Sequence, residues 1–171
     1  MFKLRLLLVL SFVFYVAPAE TEGQFVDEVG FSYLSSQFPN LENGSTLQVI
    51  QTEAPVGSGA YIPNTSGSEY TGKTIIDATG TNNGSSGHAN TVATRFFGNT
   101  TGIAPGIATI TFFNANDYIN NQTGFNGSGD PPPQLGPIQN HSWIANGISV
   151  SVATNVLQRI DHMIDLSLIH I

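Results

Sequence analysis

The stretch "SSGHANTVATRFFGNTTGIAPG", Ser85 to Gly106, decides the reading of this chain. It sets one histidine, His88, directly behind a Ser/Gly turn. From there apolar residues fall at positions 89, 92, 93, 96 and 97, the spacing of an amphipathic helix, and Gly98 closes the run. "GIATITFFNA", Gly106 to Ala115, follows at once, and its Ile, Thr and Phe mark a buried strand. A histidine at the mouth of such a helix can face a cleft from a rigid support.

Working outward, "STLQVIQTEAP" (Ser45 to Pro55) places Leu47 and Val49 on one face and Ile50 on the other. Asn-Gly precedes it and Pro ends it, so it reads as a strand running into a loop. "VGSGAYIPNTSGSEYTG" (56–72) reads as loop, and "KTIIDATG" (73–80) carries a short apolar run. Downstream, "NNQTGFNGSGDPPPQLGP" (120–137) is a long Gly/Pro loop and "IQNHSWIA" a short strand. "ISVSVATNVLQRIDHMID" has apolar positions at 148, 152, 156, 160 and 163 or 164, which is a second amphipathic helix. The expected fold is α/β, built on a mostly parallel sheet. Strands at Leu47–Thr52, Ile107–Phe113 and Ile138–Ser142 should be neighbours, with helices at 88–97 and 149–164.

Length allows one domain, at 171 residues. "MFKLR" is a basic start, "LLLVLSFVFYV" an apolar run, and Ala17-Pro18-Ala19 a small-residue cleavage site, so residues 1–19 read as a signal peptide. The run falls short of the roughly 18 apolar residues of a membrane span, so the expectation is a secreted or cell-envelope protein with no membrane contact after cleavage. The remainder keeps Lys73, Arg95 and Arg159 against all 12 carboxylates, a formal charge of −9, which argues against a nucleic-acid partner. With no cysteine, an exported fold must rest on core packing rather than disulfides, and no Cys/His zinc cluster is possible. Asn-x-Ser/Thr sequons at Asn43, Asn64, Asn83, Asn99, Asn121, Asn126 and Asn140 read as exposed loops in an Asn/Gly/Ser/Thr-rich composition.

The last residues, "LSLIHI" (166–171), are what the transposon-end sequencing adapter CTGTCTCTTATACACATC encodes in frame. They read as an adapter artefact that should pack poorly, with the natural gene continuing past Asp165 and His170 no candidate for chemistry. The organisation expected is then a signal peptide (1–19), an N-terminal extension (20–44), a partial domain (45–165) and the artefact (166–171).

"GHANTVA" resembles the catalytic-histidine segment of the subtilisin-like serine peptidases, His-Gly-Thr-His-Val-Ala-Gly. His88, Val92 and Ala93 match it, while Ala89, Asn90, Thr91 and Thr94 depart from it. "GIAPG" resembles the family's Gly-Val-Ala-Pro, and "IQNHSW" its substrate-holding strand. The resemblance covers about 45 to 165 and implies a three-layer subtilisin-like fold, truncated at its C-terminus.

The resemblance also implies proteolysis of a polypeptide substrate through an acyl-enzyme, with the chain order acid, histidine, serine. His88 would be the general base. Laying "TLQVIQTEA" on the family's first strand puts Glu53 at the place of the orienting aspartate, 35 residues before His88. Asp77 in "IIDATG" is the rival, but lies only 11 residues before His88, which looks too close to finish a strand and still enter the helix. Ser142, Trp143 and Ile144 would offer backbone to the substrate, with His141 and Trp143 serving equally well as packing residues. The nucleophilic serine and oxyanion asparagine would come after Asp165, so the chain as written should be inactive. No cofactor is called for; calcium is common in the family, but no Asp-rich loop here indicates a site. The departures at 89–91 and the glutamate at 53 favour an alternative, a catalytically inactive subtilase-like domain used for extracellular binding or surface display.

Overall fold

The computed structural model describes residues 27–40, 42–125, 127, 129–133, 136–144 and 148–168, with backbone alone at 166–168. Residues 1–19, read above as a signal peptide, and residues 169–171 lie outside the described residues.

Four strands, β1 (Gln48–Glu53), β2 (Thr74–Asp77), β3 (Thr109–Asn114) and β4 (Ile138–Ser142), form one sheet in the order β2-β3-β1-β4. Every pairing among them is parallel. A parallel sheet has both faces covered, and its strands carry apolar residues on both sides. β1 obeys this: Val49 and Ile50, on opposite faces, are both buried. The three expected strands are neighbours as read, with β1 ending one residue later than expected, at Glu53. β2 adds a fourth strand where only an apolar run was read.

Helix α1 (Phe31–Gln37) precedes the sheet and buries none of its side chains. α2 (Gly87–Phe97) packs on one face of the sheet: Ala89, Ala93 and Phe97 meet Val49, Ile110 and Phe112. Phe97 stands nearly edge-on to Phe112, with ring centroids 6.4 Å apart, a favoured aromatic arrangement. On the other face a short helix α3 (Ala115–Asp117) leads into a wide turn carrying Tyr118, and α4 (Val150–Leu168) closes the layer. Ile50, Phe113, Tyr118 and Met163 form the core there. The second helix therefore uses Met163 rather than Ile164, which stays exposed. Helices on both faces of the sheet make a three-layer α/β fold.

The start of α2 is built by local chemistry. Ser86 is its N-cap, with Oγ accepting from the Ala89 N–H at 3.2 Å. Its end requires glycine, since a Cβ on Gly98 would sit 2.4 Å from the Thr94 carbonyl oxygen. The segment 54–73 is irregular, as its Gly/Ser content implies, yet Tyr61, Ile62 and Tyr70 from it are buried against α2. Tyr70 Oη also reaches Thr94 Oγ1 at 2.8 Å and donates to the Asn90 carbonyl at 3.0 Å. Lys73 donates from Nζ to the carbonyls of Pro105 and Ile107, which ties the start of β2 to the "GIAPG" segment.

The backbone of residues 166–168 continues α4, whereas the packing of the "LSLIHI" side chains lies outside the described residues. Among the described residues no helix is long and apolar enough to cross a membrane.

Candidate active site

In open α/β sheets, ligands bind at the carboxyl ends of the strands. Here the register sets Glu53 level with Asn114 of β3 on one side and Ser142 of β4 on the other. Glu53 is the last residue of β1, and its side chain is fully buried. It lies on the face of β1 that carries Val49, against α2.

His88 is the second residue of α2, so the helix that packs on this face carries its ring to the end of β1. Nδ1 of His88 lies 2.8 Å from Glu53 Oε2. The ring is otherwise open, 59 % exposed. A carboxylate accepting at Nδ1 selects the Nδ1–H tautomer, which leaves Nε2 with its lone pair free as a base. The other oxygen, Glu53 Oε1, accepts from Gln51 Nε2 at 2.6 Å. Burial pushes the Glu53 carboxyl above its ordinary range, opposed by the hydrogen bonds from Gln51 and His88 and by the histidine's charge. The glutamate side chain thus reaches the imidazole directly from the end of β1.

The exposed side of His88 opens on a cleft of about 410 Å³ lined by Ala54, Val56, His88, Ser142, Trp143 and Ile144. All three residues read as substrate-holding therefore share one cleft with the histidine. β4 is the end strand of the described sheet, pairing β1 alone. Ser142 Oγ accepts from Asn140 Nδ2 at 3.0 Å. Trp143 and Ile144 also wall a second, apolar cavity of about 660 Å³ between the 116–125 segment and α4. Trp143 is held by an Nε1–H bond to His141 Nδ1 at 3.3 Å, and the His141 ring packs edge-on to Tyr118, centroids 4.9 Å apart. Burial lowers the His141 pKa and pushes the Tyr118 hydroxyl up to about 12, so both stay neutral near pH 7. Of the two roles open to them, His141 packs and Trp143 walls the cleft.

The chain-distance argument against Asp77 does not hold, because β2 ends at Asp77 and the turn 78–86 suffices to enter α2. What removes Asp77 from His88 is its own set of partners. Its carboxylate accepts from the Tyr61 hydroxyl and from the backbone N–H groups of Gly80 and Asn82. Burial would raise its pKa, but these bonds outweigh it and hold the carboxyl below the ordinary aspartate value. A depressed carboxyl contributes stability above its unfolded pKa and loses it as pH falls through the folded one. Asp77→Ala should therefore cost about 1–3 kcal/mol in denaturant unfolding at pH 7, a difference that shrinks in acid. The same variant should leave the His88–Glu53 contact intact.

Gln51 is the site residue that the sequence reading missed. In an alternating strand a glutamine passes as a solvent-facing polar residue, and nothing local announces that β1 is buried on both faces. Among the described residues no group of three or more His, Asp or Glu side chains converges as a metal site. No protein-family model, curated protein or solved structure matches this chain.

Proposed function

We propose that this chain carries the acid–base half of an exported serine-type endopeptidase of subtilisin-like type. One observation carries the reading: His88 Nδ1 meets a buried strand-end carboxylate at 2.8 Å while its ring opens on the cleft of Ser142, Trp143 and Ile144. The motif order "GHANTVA", "GIAPG", "IQNHSW" supports it. In this reading a serine encoded beyond Asp165 attacks the scissile carbonyl and His88 Nε2 takes its proton. Glu53 holds the ring and stabilises the imidazolium. The proton then passes to the leaving amine, and water hydrolyses the acyl-enzyme with His88 again as base. The substrate is an extended polypeptide laid along β4, the end strand among the described residues, and the chemistry requires no cofactor.

The test reads the gene past codons 166–171 and assays cleavage of an unstructured protein. The completed product should cleave and the chain as written should not. Cleavage by the chain as written that vanishes in His88→Ala would place the nucleophile within 20–165. A folded, completed product without activity would support the binding-domain alternative. Within the same reading Trp143→Ala removes a shared wall of both cavities. It should lower kcat/KM about tenfold to hundredfold for peptides with a large apolar residue, with a much smaller loss for polar ones, measured by a peptide panel.

A further inference from the structure

We infer that Gln51 is a positioning residue, which by donating from Nε2 to Glu53 Oε1 fixes that carboxylate as the acceptor for His88. The inference deepens the proposed acid–base role of the pair and rests on it. Its ground is geometric. The two oxygens of Glu53 are divided between two donors, Gln51 at 2.6 Å and His88 at 2.8 Å, which together set the carboxylate's rotation. Gln51 is fully buried in an inner strand of a parallel sheet, a position that calls for Val, Ile or Leu. Among the described residues its amide oxygen has no partner. A buried unpaired acceptor is costly, and turning the amide over would face that oxygen towards a Glu53 oxygen. Two acceptors in contact are tolerated only when the carboxyl is protonated. The observed orientation is thus the one that suits an ionised Glu53, the state in which it accepts from Nδ1–H.

The groups beside Glu53 fit this role. Asn114 of β3 and Ser142 of β4 stand level with Glu53 in register, while His88 from α2 and Gln51 from β1 itself are the two side chains that bond its carboxylate. Without Gln51 the carboxylate would face burial with a single hydrogen bond and would turn protonated or rotate away from the ring.

The test uses the chain as it stands, labelled with 15N in histidine, and reads the tautomer of the His88 ring by NMR at pH 7.5, assigned by His88→Ala. In the wild type the neutral ring should be the Nδ1–H form with a far-downfield Nδ1 proton. Gln51→Leu should lose that proton signal and shift the ring towards the Nε2–H form, as should Glu53→Gln. A Gln51→Leu protein with an unchanged His88 spectrum would overturn the inference. If that variant does not fold, the Gln51 side-chain amide of the wild type decides. A displaced, exchange-protected NH2 signal that collapses in Glu53→Gln supports the role, and an ordinary signal refutes it. In the completed product Gln51→Leu should lower kcat about 10- to 100-fold with KM little changed. The tautomer readout needs no nucleophile, so a dependence on Gln51 in a product without peptidase activity would sink the peptidase reading and leave this inference standing.

Discussion

In the product of the gene read past Asp165, His88→Ala is expected to lower kcat on a peptide substrate on the order of 10⁴- to 10⁶-fold, with KM within about threefold. On the proposed reading, loss of the base would remove an interaction made in the transition state and leave ground-state binding along β4 untouched. The fold should survive, because the His88 ring is largely exposed and α2 is anchored by Ala89, Ala93 and Phe97 instead. A residual rate above water should remain, from substrate binding and oxyanion contacts that His88 does not make. Steady-state kinetics with a circular-dichroism check of folding measures both halves. A loss below about tenfold would mean that His88 is not the base.

Glu53→Gln should cost about 10⁴-fold in kcat, because an amide beside Nδ1 favours the wrong tautomer and cannot stabilise the imidazolium. The same change should raise stability at neutral pH. Burial lifts the Glu53 carboxyl above its unfolded value. A raised carboxyl contributes stability below its unfolded pKa and loses it as pH rises through the folded one. Near pH 7 the wild type therefore holds an ion at a cost the amide does not carry. The thermal midpoint of Glu53→Gln should exceed that of the wild type at pH 7, and the gain should shrink as pH falls. Lower activity with higher stability is the signature of a group kept for chemistry. Glu53→Asp withdraws the carboxylate by one methylene from a ring it already meets at 2.8 Å, so it should lower activity rather than improve it.

The elements that position this site were legible in the sequence because each carries its own local signal. The Ser/Gly turn, the apolar spacing from 89 to 97 and the closing Gly98 mark α2 from end to end, and α2 runs Gly87–Phe97. The Ile/Thr/Phe run and the Pro-bounded "STLQVIQTEAP" mark β3 and β1, and their parallel pairing follows from the helix between them. Glu53 and His88, 35 residues apart, were paired only through the resemblance, since the pattern alone ends the strand at Thr52 and gives a buried carboxylate no signal.

The rest was hidden for physical reasons. The segment 54–73 looks solvated by composition, yet three aromatic or aliphatic side chains within it complete the α2 core, which only tertiary contact reveals. Asp77 looked excluded by chain distance, when its hydrogen bonds to Tyr61, Gly80 and Asn82 are what separate it from His88. Gln51 carries no motif. Its meaning appears once β1 is seen to lie between β3 and β4, buried on both faces.

The central claim, that His88 and Glu53 serve a serine nucleophile, is tested most directly by labelling the completed gene product with a fluorophosphonate probe and locating the adduct by mass spectrometry. The account predicts one labelled serine encoded beyond Asp165, with labelling lost in His88→Ala and strongly reduced in Glu53→Gln. A folded product that takes no label, or one whose label persists in His88→Ala, would contradict it.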